Sequence, residues 1–224
     1  MALGTKIITQ LINYCNRDLV PDSSFRSTGA YPSDWFIQYF SFLDDARLEK
    51  YLGEAFYQAR FMYKLMSSLK LPLAKHKGIV RFQIVQYASI CEAVLQHAIE
   101  KYYKNEFENR YAVTELVKCK NALSVDTKIT YNGTSLYLCQ EKKKKADIKR
   151  TRIDYKTEFA VAHNIISQPT KVAFDALYDS RNNIHILKAA NNNYNPRLYE
   201  SKNAFLLMQK FIEEVKFFYS QQSF

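Results

Sequence analysis

Apolar residues recur at steps of three and four in three long segments, which is the period of an amphipathic α-helix. The first segment spans Leu48 to Leu69 and ends before Pro72. The second runs from about Ile79 to Lys104, and the third from about residue 198 to 219. The stripe of the second is Val80, Ile84, Ala88, Cys91, Leu95, Ala98 and Tyr102. The stripe of the third is Ala204, Met208, Phe211, Val215 and Phe218. These patterns predict a mainly all-α protein with a substantial core.

Shorter helices are predicted around these long ones. One covers residues 5–18, and a second begins near Trp35, capped by Ser33 or Asp34. A third covers Ile153 to His163. Residues 20–33 hold two prolines and one glycine, so this segment is predicted to be a loop.

The pattern changes to alternation with period two near residues 126–139. Asn132-Gly133 stands at its centre, and this dipeptide accepts the two positive φ angles of a type I′ turn. The segment therefore predicts a β-hairpin. Gly and Pro number only five each, which argues against a sandwich or barrel with many tight turns. The hairpin is interpreted as an insertion in a helical fold.

Charge suggests a class of partner but does not decide it. Lysine and arginine number 32 against 22 acids, so the formal net charge is +10. A basic chain suits a polyanion such as nucleic acid or an anionic membrane. Frequent Lys, Asn, Tyr, Phe and Ile are equally typical of proteins from AT-rich genomes, which leaves a second explanation open.

Cysteine spacing and hydropathy predict a cytoplasmic protein without a metal or other cofactor. The four cysteines form no C-x-x-C pair and have no zinc-ligand spacing, so reduced thiols are expected. Cys91 lies on an apolar stripe, whereas His97 lies off it and is expected to be exposed. The first residues do not resemble a signal peptide. No apolar run approaches the ~20 residues of a membrane span, so no membrane association is expected.

A basic strip follows the predicted hairpin and has two interpretations. It is either a phosphate-contacting surface for RNA or a solvated loop, since charges in a loop remain hydrated at no cost. Asp147 is the only acid within it. The candidate RNA-binding residues are Lys142, Lys143, Lys144, Lys145, Lys149 and Arg150.

Candidate chemistry lies on a further helix, predicted from Val172 to about Lys188 with Pro169 in its first turn. The expected buried stripe of this helix is Ala173, Leu177, Ser180, Ile184 and Leu187. Arg181 and His185 are four residues apart, so a continuous helix would project both from one face, above Phe174 and Tyr178.

These side chains suit a phosphodiester. The guanidinium of Arg181 can bind phosphate oxygens bidentately, and the imidazole of His185 can transfer a proton near neutral pH. Asn182 can hydrogen-bond a ribose or orient the phosphate. An Arg–His pair at this spacing is also common as a purely structural feature of helices.

The segment Ile165–Ile186 resembles the HEPN family, small helical domains named for their occurrence in higher eukaryotes and prokaryotes. A short helix ends in Ile165-Ile166, and the next carries Arg181-Asn182…His185. A loop and a long closing helix follow. The upstream helix with Glu92 fits the family's earlier helix. This resemblance implies a HEPN-like helical bundle at residues 76–224, with the hairpin as an insertion and residues 1–75 as a helical extension.

The resemblance further implies a homodimeric, metal-independent endoribonuclease of a toxin–antitoxin, abortive-infection or other antiviral defence system. Its signature helices would meet across the dimer and form one composite cleft for RNA. Arg181 and His185 would be catalytic and Asn182 the polar helper, with Glu92 and Tyr178 as candidate supports. An antitoxin or another defence-system protein would be a further partner.

Two departures from the family pattern keep an alternative open. Three residues separate Arg181 from His185, where the family usually has four to six. The His-x-Tyr extension of one toxin branch is absent, because Ile186-Leu187 follow His185. The alternative is a non-catalytic HEPN-like module that binds RNA, a nucleotide or a protein. A helical interaction protein without nucleic acid is a third interpretation.

Overall fold

The computed structural model describes residues 4–16, 19–20, 31–69, 73–119, 130–135, 137, 139–184, 190–191 and 193–222. Within these ranges the chain forms eight α-helices and four short strands. The helices are α1 (Thr5–Asn16), α2 (Pro32–Gln38), α3 (Ala46–Ser68), α4 (Leu73–Tyr102), α5 (Lys104–Arg110), α6 (Ile153–Ala162), α7 (Gln168–Asn182) and α8 (Leu198–Gln221). The strands are β1 (Val113–Lys118), β2 (Thr130–Tyr131), β3 (Thr134–Ser135) and β4 (Cys139–Lys144).

The mainly helical class predicted from the sequence is confirmed. Six members of the stripe on α4, from Val80 to Ala98, are fully buried, and Tyr102 is half-buried. The stripe on α8 is also buried, because α4 and α8 pack against each other at the centre of the molecule. Helices α2 and α3 add Phe36 and Phe56 to the same core. The division of the chain at residue 75 remains a prediction.

The short helix α2 begins differently from the prediction. Its N-cap is Tyr31, which makes no side-chain capping hydrogen bond, whereas Ser33 or Asp34 was expected there. Pro32 explains the difference, because its fixed φ angle and missing N–H favour the first helical position. The helix places Phe36 against Phe56 of α3, with ring centroids 4.8 Å apart and nearly perpendicular planes.

The Asn132-Gly133 turn is confirmed. Asn132 has φ 48° and Gly133 has φ 74°, and Thr130–Tyr131 pairs antiparallel with Thr134–Ser135. The flanking residues 126–129, 136 and 138 lie outside the described ranges.

The basic strip, however, is not simply a loop. Lys142, Lys143 and Lys144 belong to β4, which pairs antiparallel with β1 from Val113–Lys144 to Lys118–Cys139. The partner strand β1 lies 20 residues or more upstream of β4, so the strip alone does not reveal the pairing.

Helix α7 ends earlier than predicted. Its last residue is Asn182. Ile184 lies in the turn that follows, and its backbone N–H donates to the carbonyl of Arg181 at 3.2 Å. The buried residues are Thr170, Phe174 and Leu177, whereas Ala173 of the predicted stripe is exposed. Residues 185–189 lie outside the described ranges, so Leu187 cannot be placed.

A carboxylate from α8 fixes the start of α7. Oε2 of Glu214 accepts a hydrogen bond from the backbone N–H of Ser167 at 2.7 Å. Its Oε1 accepts from the hydroxyls of Ser167 and Thr170 at 2.9 and 2.6 Å. Burial alone would raise the pKa of Glu214, but these hydrogen bonds and the nearby Lys210 outweigh burial and lower it below its ordinary 4.5.

Substitution of Glu214 by Gln should lower stability in a pH-dependent manner. Because the folded pKa lies below the unfolded one, the carboxylate stabilises the fold above pH 4.5. This contribution is lost as pH falls through the folded pKa. We expect Glu214→Gln to cost about 2 kcal/mol at pH 7, since hydrogen bonds to charged groups are the strong ones.

Urea denaturation at pH 7 and at pH 3 tests this expectation. The gap between wild type and Glu214→Gln should shrink at the lower pH. The neighbouring Glu213→Gln, at an exposed position on the same helix, is the matched control and should have little effect at either pH. An equal gap at both pH values would contradict the role assigned to the charge.

Candidate functional site

Arg181 lies in the last turn of α7, where a cation is favourable beside the C-terminal end of the helix dipole. Its Nη1 is 3.2 Å from Oε2 of Glu92 on α4. Its guanidinium carbon lies 4.8 Å from the ring centroid of Tyr178, within cation–π range. The side chains of Arg181 and Glu92 are 29% and 25% exposed to solvent. The structure thus brings together three of the predicted site residues at a half-buried position open to solvent.

His185 lies outside the residues that the structure describes. The helix α7 itself ends at Asn182, three residues before His185. The prediction that Arg181 and His185 share one face stays a prediction. The structural basis for the site therefore consists of Arg181 and its neighbours. Phe174, predicted to lie below Arg181 on the site face, is instead fully buried against Phe211, with ring centroids 5.0 Å apart.

Asn182 lies on the other side of Tyr178, at a cavity of about 440 Å³. The charged residues around it are mostly acidic: Arg152, Asp154, Asp175 and Asp179. Arg152 pairs with Asp154 at 2.7 Å, and Lys171 pairs with Asp175 at 2.6 Å. The remaining charge is that of Asp179, so this cavity does not attract a phosphate.

A ladder of polar side chains extends from Glu92 along α4. Glu92, Gln96 and Glu100 are spaced by four residues and share one face of the helix. Gln96 donates from Nε2 to Oε1 of Glu100 at 3.0 Å and accepts from Nζ of Lys156 at 3.3 Å. Lys156 comes from α6, so this ladder connects α4 with α6 and, through Arg181, with α7.

Lys156 is the least expected member of this ladder, because only 1% of it is exposed. Burial lowers the pKa of Lys156, while the negative charges of Glu92, Glu100 and Asp147 act in the opposite direction. These acids are what makes a buried ammonium tolerable. The sequence could have indicated the ladder from the i, i+4, i+8 spacing of Glu92, Gln96 and Glu100, but nothing in the sequence marks Lys156 as buried.

Glu92 also lines a groove of about 550 Å³ between the start of α3 and the C-terminal half of α4. His97 also lines this groove. It is partly buried, whereas the sequence predicted an exposed side chain. Its Nδ1 is 2.7 Å from the hydroxyl of Tyr219, and the two rings stack at 6.2 Å. Burial lowers the pKa of His97, with the carboxylate of Asp45 opposing this effect.

The predicted RNA-binding residues are divided among four places. Lys149 lies at the groove, whereas Arg150 is 90% exposed and 3.5 Å from Asp147. Lys145 is 3.6 Å from Glu108 of α5. The strand β4 carries the remaining three, Lys142 to Lys144, all exposed.

The alternation of a β-strand also divides these three lysines between two faces. Directly opposed residues of an antiparallel pair point to the same side. Lys142 and Lys144 therefore share a face with Glu115, whose Oε1 is 2.9 Å from Nζ of Lys144. Lys143 points to the other face, together with Lys118 of β1, whose Nζ lies 3.2 Å from the ring centroid of Tyr137.

Neither a metal centre nor a membrane span is found in the described part of the chain. No group of three or more His, Cys, Asp or Glu side chains there is placed to hold a metal ion. None of the helices described is both long and apolar enough to cross a bilayer. Comparisons with protein-family models, curated proteins and solved structures find no match to this chain.

Proposed function

We propose that this protein is a metal-independent endoribonuclease of HEPN type that serves in a toxin–antitoxin or antiviral defence system. The observation that carries the proposal is the position of Arg181, half-buried at the end of α7 between Tyr178 and Glu92. A guanidinium held in this way is oriented before the substrate arrives, and its planar fork matches two phosphate oxygens. The Arg181-Asn182…His185 resemblance supplies the family and the reaction.

In the proposed reaction the 2′-hydroxyl of a ribose attacks the adjacent phosphate. A bond forms between the 2′-oxygen and phosphorus while the bond to the leaving 5′-oxygen breaks. The imidazole of His185 takes the hydroxyl proton, and the imidazole of the partner subunit's His185 gives a proton to the leaving oxygen. Arg181 stabilises the charge that develops on the phosphate, and Asn182 orients the ribose.

A homodimer follows from this assignment of roles. A single chain offers one Arg181 and one His185, whereas acid and base functions acting together require two imidazoles. Two-fold pairing of the signature helices doubles both groups and forms a cleft for an RNA strand. An antitoxin or another defence-system protein would be the further partner, because a free ribonuclease of this kind has to be restrained.

Glu92 has a defined part in this proposal. In the absence of RNA it neutralises Arg181 at 3.2 Å and holds the guanidinium at the site. A phosphate competes with the carboxylate for the same N–H groups. Because Nζ of Lys156 lies on the same ladder, Glu92 retains a nearby positive charge when the guanidinium of Arg181 binds a phosphate.

The alternative is a non-catalytic HEPN-like module that binds RNA, a nucleotide or a protein. The specific observation in its favour is the end of α7 at Asn182, which puts Arg181 in the last turn of the helix and leaves His185 beyond the helix end in the sequence. The three-residue spacing between them points the same way.

Incubation with total RNA in the presence of EDTA tests the proposal. The wild-type protein should cleave RNA, and Arg181→Ala and His185→Ala should not. Arg110→Ala removes a charge from an exposed position at the end of α5 and serves as the matched control. RNA that stays intact with the wild type, while binding is retained, would favour the non-catalytic module.

The strands β1 and β4 form a two-stranded antiparallel ribbon. We expect RNA to bind to one of the two faces of this ribbon. On the first face Lys144 is neutralised by Glu115, which leaves Lys142 as the unpaired cation among the described contacts. The other face presents Lys118 and Lys143 together with the carboxylate of Glu141. No ion pair is described between Glu141 and either lysine, so we expect both ammonium groups on this face to contact phosphates. Each phosphate contact of a single strand contributes about 0.7 to the slope of log affinity against log salt.

The double variant Lys118→Ala/Lys143→Ala should reduce the salt slope of RNA binding by about 1.4, whereas Lys142→Ala/Lys144→Ala should reduce it by less. The two variants remove the same number of charges from the same ribbon, so each controls for the other. Fluorescence anisotropy with labelled single-stranded RNA at several salt concentrations measures both slopes. Equal slopes in both variants and the wild type would assign the strip to a solvated surface without RNA contacts.

A further inference from the structure

We propose that the groove between α3 and α4 binds one nucleotide of single-stranded RNA, with its base stacked on the ring of Tyr51. The inference rests on the proposed function in one respect, the identity of the polymer as RNA. It adds a base-binding subsite formed partly by the N-terminal helix α3, which the resemblance left without a role.

The shape of the groove suits a base. Its volume of about 550 Å³ lies within the range of small-molecule sites. Tyr51 lines it and is 61% exposed although it belongs to a well-packed helix. Leu48, one turn before Tyr51, and Ala93 on α4 add apolar surface to the walls. An exposed aromatic ring beside a slot with apolar walls is what a base needs for stacking.

Hydrogen-bonding groups line the α4 side of the groove. Ser89 and Gln96 offer a hydroxyl and an amide, and the carboxylate of Glu92 can accept from an exocyclic amine. His97 contacts Tyr219 through Nδ1, which leaves Nε2 as the ring nitrogen for a ligand. These are the side-chain types that read the Watson–Crick and Hoogsteen edges of unpaired bases.

Two cations line the same groove and offset the carboxylates of Asp45 and Glu100, which line it as well. Arg47 is exposed at the start of α3, and Lys149 comes from the segment between β4 and α6. They can contact the phosphates on either side of a bound nucleotide. Lys149 is also one of the residues that the sequence assigned to RNA, and here it lies apart from the lysines of β4.

The groove is continuous with the site of Arg181. Glu92 lines the groove and is also the carboxylate that pairs with Arg181 at 3.2 Å. A nucleotide in the groove therefore lies next to the phosphate that Arg181 would hold. Arg181 neutralises Glu92, and Arg47 and Lys149 offset the two other carboxylates of the groove. At the cavity of Asn182 the charge of Asp179 is left over, so the groove is the less repulsive path for the strand.

Binding of a fluorescein-labelled single-stranded 12-nucleotide RNA tests the subsite. Tyr51→Ala should weaken binding about tenfold, since stacking of one base contributes about 1–3 kcal/mol. Tyr51→Phe keeps the ring and should bind within twofold of the wild type. Tyr199→Ala, at another exposed tyrosine on α8, is the matched control and should also stay within twofold. Because Tyr51 is exposed, its substitution should leave the fold intact.

Together, the binding assay and the RNA-cleavage assay distinguish a failure of the base-binding subsite from a failure of the nuclease proposal. Unchanged binding by Tyr51→Ala overturns the subsite, and the nuclease proposal stands if the wild type still cuts RNA. Weaker binding by Tyr51→Ala together with an uncut RNA supports the subsite and overturns the nuclease. A wild-type protein that does not bind the RNA overturns both.

Discussion

Replacement of His185 by Ala is expected to abolish RNA cleavage and to leave RNA affinity largely unchanged, whereas Arg181→Ala is expected to lower both. Only one of the two imidazoles in the proposed dimer has to be protonated before the reaction, so the loss of His185 removes little charge from the phosphate site and acts mainly on the proton transfers. The guanidinium contacts the phosphate in the ground state and in the transition state, so its loss affects both. Each substitution should reduce the cleavage rate by ~10²-fold or more.

Cleavage rates under single-turnover conditions and RNA affinities from anisotropy measure the two effects separately. Arg181→Lys is the informative companion variant, because it keeps the charge and loses the bidentate fork; we expect a rate between those of wild type and Arg181→Ala. EDTA should leave the wild-type rate unchanged. A metal-dependent rate, or equal losses of affinity in both alanine variants, would contradict the proposed mechanism.

The helices that the sequence predicted well are those with a continuous apolar stripe. On α4 and α8 the stripe is long enough that its burial outweighs local preferences, so its residues are the buried ones in the structure. The turn at Asn132-Gly133 was equally predictable, because the positive φ angles are a local property of two residues.

Features that depend on distant partners were not predictable in this way. The lysines of β4 form a strand because β1 pairs with them, although a run of lysines has no strand tendency of its own. Lys156 is buried because Gln96 and neighbouring acids from α4 surround it. The end of α7 also escaped prediction, since Asn182-Asn183 are weak helix formers that a periodic pattern overlooks.

The candidate site contains features of both kinds, those set by local sequence and those set by distant partners. Arg181, Asn182 and Tyr178 could be proposed from one segment of sequence. The pairing of Arg181 with Glu92 joins residues 89 positions apart, and the sequence suggested it only through the family resemblance. The groove with Tyr51 requires the packing of α3 on α4, which no local pattern contains.

Gly53 marks a point where α3 packs closely against α2. It lies in the middle of α3, where glycine is unfavourable for a helix, and it faces Ile37 of α2. A Cβ at this position would lie 2.5 Å from the Cα of Ile37 and 2.6 Å from its backbone nitrogen. Because both atoms are backbone, no side-chain rotation can relieve the clash, and α2 would have to move away with Phe36.

We therefore expect Gly53→Ala to destabilise the protein by about 3 kcal/mol, at the upper end for overpacked positions. Gly78→Ala is the matched control, since Gly78 is an exposed residue of α4 with no atom within 4 Å of an added Cβ. The same substitution there should stabilise the protein by up to about 1 kcal/mol through helix propensity. Urea denaturation curves give both values. A Gly53→Ala variant as stable as the wild type would mean that α2 does not pack against α3 as closely as 2.5 Å implies.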